Sequence, residues 1–260
     1  MNTRLLFLAL LRDLEIDTVC DVGSMNGADA MAFRARLPNA RVTAFEPNPE
    51  NLREMEINAR LQHSGVEIVS AAISNEDGVA PFFLVPAKYD HDDPHRGMSS
   101  LHSRSYVSKQ TQVEVHTLRL DTFLAPRCAD DARVALWIDS EGYAFEVLDG
   151  ARGIAEKIQM LHVEVESEPC INANQYLYSQ VKSLLESLGL VQIAIDQPPE
   201  RPQFNALFVR DGQSAKVCRH IRYRLVIARV RALCVRTLRA FCPACAKRLA
   251  NMWRRRTTSS

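Results

Sequence analysis

Along most of the chain, short apolar runs rich in β-branched residues alternate with segments whose apolar positions recur at helical spacing. TVCDVG (18–23), RVTAFEP (41–47), VEIVSAAIS (66–74) and IQMLHVEVES (158–167) predict strands, and VALWIDSEGYAFEVLDGA (134–151) predicts a strand, a tight turn and a helix. ADAMAFRARL (28–37), stopped by Pro38, predicts a helix, and so does NPENLREMEINARLQ (48–62), with a proline in its first turn. NQYLYSQVKSLLESLGL (174–190) predicts an amphipathic helix ending near Gly189. The opening MNTRLLFLALLRDLEIDTV reads as a helix that packs on the fold, not a signal peptide: acids follow the apolar run and no small-residue cleavage site does.

The rhythm breaks over residues 79–118. There VAPFFLV and QVEVHTL flank the polar stretch AKYDHDDPHRGMSSLHSRS, which predicts a β-excursion with a surface loop. RLDTFL (119–124) reads as one helical turn, and VQIAID (191–196) with QFNALFVR (203–210) as a closing hairpin across QPPERP. Repeated β-α-β units imply an α/β fold with a parallel sheet covered by helices on both faces.

Charge divides the chain. The formal net charge of +1 is a cancellation: no acid follows Asp211, and residues 213–260 carry 13 lysines and arginines. The first 212 residues keep 19 basic against 31 acidic side chains. This predicts a domain at 1–212, with 79–118 inserted, and a basic tail at 213–260. In that tail Tyr223, Val226, Ile227, Val230, Leu233, Cys234 and Phe241 share one helical face, with Arg222, Arg229 and Arg236 along one flank and Arg224 and Arg231 along the other. A basic amphipathic helix of this kind suits an anionic membrane surface through 216–256. Packing on the domain or on a partner subunit is the competing reading, and nucleic acid is disfavoured. Seven cysteines, an odd number, suggest reduced thiols in the cytoplasm, peripheral to a membrane if the tail docks there. The lone CPAC (242–245) lacks the second pair that zinc requires. No apolar run approaches the roughly 20 residues that span a bilayer.

The candidate chemistry starts at DVGSMNG (21–27). Gly23 permits a sharp strand-to-helix turn, and Gly27 would let the helix start close to a bound molecule, with its first amides facing it. A dinucleotide site would carry a glycine where Met25 stands, so a pyrophosphate, and with it a nicotinamide-dependent reductase, is disfavoured. Asp21 suits a cationic or amine-bearing ligand. Glu46, 23 residues after Gly23, sits where an acid accepts hydrogen bonds from ribose hydroxyls. Together these features describe a site for S-adenosylmethionine.

DVGSMNG, FEPNPENL, AAISNEDG, GMSSL, TLRLDTFL and WIDSEGYAFEVLDGA, in that order over residues 18–152, resemble the FkbM family of S-adenosylmethionine-dependent methyltransferases. HVEVE and the closing hairpin carry the similarity to about residue 210. Ser24 and Met25 replace the family's Ala-Asn pair, and Trp137 replaces its lysine. The resemblance implies a Rossmann-like class I methyltransferase fold, with a mostly parallel seven-stranded sheet. It implies O-methylation of a hydroxyl on a sugar or on a glycosylated or polyketide product. It also implies cofactor contacts from Asp21, Gly23, Asn26, Gly27, Glu46, Pro47, Ala72 and Asp139. Ser99 and Ser100 match its Ser-Ser-Leu element, either donating to acceptor or cofactor or capping a turn. Glu166 joins them on the substrate side.

Methyl transfer to a hydroxyl needs in-line geometry and a base for the proton. Asp139 is the first candidate, followed by Glu141, Glu164 and His162; period-two alternation puts His162, Glu164 and Glu166 on one strand face. A strand with an ordinary polar face is the alternative for HVEVE. Acids here could also hold a hard cation, although the reading assigns no metal ligand. HDDPH (91–95) reads as a solvated substrate-side loop rather than a metal site. A non-catalytic cofactor- or partner-binding module with a membrane-docking tail is the rival function, which the clustered acids disfavour.

Overall fold

The structure, a computed structural model, describes residues 2–86, 97–104, 106–107 and 109–219. It divides into two compact units, 1–214 and 215–260. The first runs α1 (Thr3–Asp13), β1 (Thr18–Val22), α2 (Ala28–Arg36), β2 (Arg41–Phe45), α3 (Pro49–Ile57), α4 (Ala59–Gln62), β3 (Glu67–Val69), β4 (Ala72–Ile73), β5 (Gly78–Leu84) and β6 (Thr111–Leu118). It continues with α5 (Leu120–Leu124), β7 (Val134–Ile138), α6 (Ala144–Asp149), β8 (Ile158–Glu166), α7 (Tyr178–Ser187), β9 (Leu190–Ile195) and β10 (Gln203–Arg210). Only 215–219 of the second unit are described, so the amphipathic stripe predicted from Tyr223 onward lies outside the described residues, as does HDDPH. Among the described residues no helix is long and apolar enough to cross a membrane.

The main sheet has seven strands in the order β3-β2-β1-β7-β8-β10-β9. β1, β2, β3, β7 and β8 are parallel, and β10 runs antiparallel to both β8 and β9, as the closing hairpin predicts. β1 and β7 bury every residue, as expected where helices cover both faces. Strand order reverses between β1 and β7, and the crevice beyond their carboxyl ends is where such sheets bind ligands. On one face Val134, Leu136 and Ile138 join Leu161, Val163 and Val165 in a fully apolar core. On the other, α1 lays Phe7 against Phe33 and Trp137, ring centroids 5.3 Å apart in both pairs. Asn2 caps α1, its Oδ1 accepting from the Leu5 amide at 2.8 Å.

Two predicted elements divide. The strand at 66–74 becomes β3 in the main sheet and β4 in a second sheet, ordered β4-β6-β5, which the excursion at 79–118 builds. The chain bends between them, the Ala71 amide donating back to the Val69 carbonyl at 3.0 Å. The helix at 48–62 breaks at Asn58, which is extended and caps α4 by accepting from Arg60 and Leu61. Asparagine competes with helical backbone bonding, so it favours the cap over the helix interior.

Candidate active site

Gly23 leaves β1 at φ 79°, and its amide and that of Ser24 donate to the Phe45 carbonyl. A Cβ there would stand 1.8 Å from the Asp139 carbonyl oxygen, so no side chain fits where β1 and β7 run out together. Met25 follows in the left-handed region, φ 53°, and donates its amide to Glu46 Oε2 at 2.6 Å. Glu46 Oε1 accepts from the Asn48 amide at 2.9 Å and from Asn51 Nδ2 at 3.3 Å. This carboxylate is therefore fixed at the rim of β2 by the turn leaving β1.

A cavity of about 670 Å³, open mouth included, lies above these strand ends. Phe45, Pro47, Ala71, Ala72, Ile73 and Phe82 supply apolar wall; Glu46 and Asn51 stand among them, and Asp139, Ser140 and Glu141 also face the space. Met25 borders it too, in the place where a dinucleotide fold leaves room for phosphate. Of the expected cofactor residues, Gly23, Glu46, Pro47, Ala72 and Asp139 line the cavity.

Asp21, Asn26 and Gly27 do not, and each has another task. Asp21 is 1% exposed and points into the protein, accepting from Ser24 Oγ at 2.6 Å and the Ala30 amide at 3.1 Å. It ties the turn to α2 instead of meeting a ligand, and burial raises its pKa to about 7. Asn26 is exposed and accepts from the Ala28 amide. Gly27 is required by its φ of 75° and by Leu61, whose side chain would lie 2.6 Å from an added Cβ. Helix packing, not ligand approach, keeps that glycine.

The acids gather at the other end. Carboxyl oxygens of Asp139, Glu141 and Glu164 all lie within 4.8 Å of one another. Asp139 and Glu164 are hydrogen-bonded, which two carboxyl groups manage only by sharing a proton. Asp139 opens onto the cavity and is exposed there, with protein packed densely around the mouth. Burial, then the charge of Glu141, raises its pKa to about 7, with the Glu164 hydrogen bond pulling the other way. Glu164 is pushed well above the usual carboxylate range, by burial first and then by Asp139, and so keeps the proton. A hard cation would relieve the same repulsion through the same oxygens.

Glu141, in a turn with φ 51°, has a counter-charge from the excursion: Arg104 Nη2 reaches its Oε2 at 2.5 Å. Burial still leaves the Glu141 pKa raised, with Arg104 opposing. Arg104 also donates to the Met98 carbonyl at 2.7 Å and to the Tyr106 hydroxyl. Gln203 of β10 donates to Glu164 Oε1 at 2.6 Å and Glu166 Oε1 at 3.4 Å. Glu166 sits behind it, 2% exposed and outside the cavity, its pKa raised by burial to about 7. Ser99 lines the cavity, while Ser100 is buried, donating Oγ to the Glu141 carbonyl at 2.8 Å. Ser99 Oγ also accepts from the Val85 amide at 3.0 Å, so both serines hold local backbone, and Ser99 does so at the cavity wall.

His162 stands apart from the acids. Its ring stacks on Trp137, centroids 3.7 Å apart, with Nε2 2.9 Å from Thr3 Oγ1 beneath α1. Burial lowers its pKa to about 3, which leaves a neutral and weakly basic imidazole. It lines no part of the acid-ended cavity. Sequence reasoning missed Arg104, Gln203, Asn51 and Tyr143, the last two bordering the cavity. Tyr143, at the start of α6, had one available signal in its place directly after the IDSEG turn.

The family model described as the methyltransferase FkbM domain matches residues 21–190. A curated protein, Methyltransferase 1 of Beauveria bassiana (strain ARSEF 2860), is 26% identical over 195 residues, covering 71% of this chain and 76% of its own. Among solved structures, the chain is similar to magnesium protoporphyrin IX methyltransferase (ChlM) from Synechocystis PCC 6803 with bound SAM. That match has 12% identity, covers 80% of this chain and 77% of the other, and has a TM-score of 0.43. The N-terminal domain of EvdMO1 with SAH bound gives 12% identity, 81% coverage of each chain and a TM-score of 0.45.

Proposed function

We propose a methyl transfer from S-adenosylmethionine to a hydroxyl, on one premise: the chain belongs to the FkbM methyltransferase family. The observation that carries the proposal is a single cavity with Glu46 in its wall, Asp139 and Glu141 facing it, and Met25 where a pyrophosphate would pass. The residues present fit the cofactor. Glu46 places a carboxylate in the wall where ribose hydroxyls would reach it, the Ala71–Ile73 and Phe82 walls suit an adenine ring, and the acids suit a cationic group. When bound, S-adenosylmethionine supplies an electrophilic methyl group and takes the electron pair of the broken carbon–sulfur bond.

The chain's own residues do the rest. Asp139, ionised while Glu164 holds the shared proton, accepts the proton of the attacking hydroxyl as the new oxygen–carbon bond forms. Glu141, held by Arg104, keeps negative charge beside the reacting centre. Ser100 fixes the Glu141 backbone, and with it the turn that aims Asp139. Apolar walls limit water near the methyl group. A sugar hydroxyl is the acceptor that best fits a reaction needing a dedicated base, since it gives up its proton reluctantly.

Calorimetry tests the cofactor assignment. S-adenosylhomocysteine should bind and NAD should not, and Glu46→Ala should weaken binding by roughly tenfold, the loss of a charged hydrogen-bonding group. NAD binding in place of S-adenosylhomocysteine would overturn the assignment. For the reaction, mass spectrometry of glycans from cells with and without the gene should show the loss of one methyl group from a sugar.

A further inference from the structure

Met25 carries a side chain at odds with its backbone. Its φ of 53° lies in the left-handed region, which asparagine tolerates and an unbranched apolar residue seldom enters. Asparagine is also the residue that the FkbM pattern has at this position. The hydrogen bonds of the turn do not call for methionine. The Met25 amide donates to Glu46 Oε2 at 2.6 Å and the Gly27 amide to the Ser24 carbonyl at 2.9 Å, and an asparagine at 25 would supply the same main chain. Strained positions of this kind gather at ligand sites. Of the three non-glycine residues at positive φ among the described residues, Met25 and Glu141 line the cavity, and Glu15 does not.

The reason for a methionine lies in what its side chain meets. A Cβ built on Gly97 would stand 3.7 Å from Met25 Sδ, ordinary van der Waals contact. The thioether therefore comes within one methyl group of the excursion's backbone. Met25 and Gly97 are both half-buried, and both line the cavity, one from the turn after β1 and the other from the excursion. A flexible, polarizable thioether fills an irregular gap of this sort. Asparagine, shorter by a methyl group and polar, would put a hydrated amide in the same place.

We infer that Met25 is a cofactor-retaining residue: its thioether and the Gly97 backbone form an apolar clasp at the cavity's edge that slows the escape of bound S-adenosylhomocysteine. The inference rests on the methyl-transfer reading, in which that compound is the product left in the cavity once the methyl group has gone. Contacts added around a bound ligand act chiefly on its dissociation. Product release in turn sets turnover in many enzymes. Glu46 recognises the cofactor; Met25 governs how long it stays.

The dissociation rate of radiolabelled S-adenosylhomocysteine from the full chain, chased with unlabelled ligand, tests the clasp. Met25→Ala and Met25→Asn should release it at least about fivefold faster, through loss of apolar contact. Met25→Leu keeps the bulk and should stay within about twofold of wild type. Gly97→Ala, at a backbone outside the left-handed region, adds the missing methyl group and should slow release by roughly threefold. That slowing should vanish when Gly97→Ala is combined with Met25→Ala, since the added methyl then has no thioether to meet. Without ligand, Met25→Asn should melt about 2–4 °C above wild type as the strain is relieved, and Met25→Ala should not. Release from Met25→Ala at the wild-type rate overturns the clasp. So does a Gly97→Ala effect that persists in the Met25→Ala background. A Met25→Asn chain that melts no higher than wild type overturns the step from strain to role. Failure of the wild type to bind S-adenosylhomocysteine overturns the methyl-transfer reading and the clasp with it, whereas binding with unaltered release in the variants overturns the clasp alone.

Discussion

Asp21 and Asp139 lie at the ends of neighbouring parallel strands, Asp21 opposite Trp137 and Asp139 just beyond Ile138. Burial is the main cause that raises each pKa to about 7. Their surroundings differ in where the lone pairs go. Asp21 spends one oxygen on Ser24 and the Ala30 amide inside the protein. Asp139 meets other carboxyl groups and opens onto the cavity. The same perturbation is structural in one place and chemical in the other, so a shifted pKa marks a functional acid only when the group can reach a ligand.

The widest test of that contrast is a pair of isosteric changes. Asp139→Asn should cut methyl transfer by about 10²- to 10⁴-fold, the usual value of a positioned base, with the fold intact. Asp21→Asn should leave turnover near wild type. Measuring release of S-adenosylhomocysteine with an accepted glycoside decides it; equal losses in both variants would erase the distinction between the two acids. Next in size is a glycine pair. Gly23→Ala drives a methyl group into the Asp139 backbone and should destabilise by roughly 3 kcal/mol or more, combining overpacking with a left-handed φ. Gly27→Ala meets only the movable end of Leu61 and should cost clearly less in the same urea titration. A smaller effect is expected from pH. Because Asp139 must be ionised to accept a proton, kcat/KM should climb up to about tenfold per unit below pH 7 and level off above it. A profile flat from pH 5 to 8 would take Asp139 out of the base role.

Much of this was readable in the sequence because the signals were local. Strand-and-helix alternation, the turn after β1 and an acid at the end of β2 are each written within a few residues, and all three stand in the structure. What escaped depends on distant partners. Arg104 meets Glu141 across 37 residues, through an excursion whose return path has no periodicity. Gln203 reaches Glu164 only because β10 pairs antiparallel with β8 at that register. Alternation correctly put His162 and Glu164 on one face, but it carries no information on which helix covers which residue; α1 buries the histidine and leaves the acid near the cavity. Gly27 looked like a ligand-contact residue because the helix that excludes its Cβ, α4, begins some thirty residues further on.

The smallest expected effect sharpens the contrast from the side of stability. Asp21, Asp139, Glu146 and Glu166 have pKa values raised to about 7, and Glu164 is higher still. In the unfolded chain such carboxyls ionise near pH 4. Between about pH 4 and 7 the folded protein therefore binds more protons than the unfolded one, and stability falls as pH rises. The stabilisation is complete below the unfolded values and lost as pH passes through the folded ones, so the ligand-free protein should melt higher near pH 5 than near pH 8. Asp21→Asn should flatten part of that slope. Both hydrogen bonds to Asp21 land on Oδ2, so an asparagine carbonyl in the same place can accept both while removing the buried charge. If at least one pKa unit of the shift is realised, the variant gains about 1.4 kcal/mol or more over wild type near pH 8, a few degrees in Tm, and little near pH 3, below the unfolded value. A slope unchanged by Asp21→Asn would mean that this carboxylate titrates in contact with solvent, and the inward placement that separates it from Asp139 would fall.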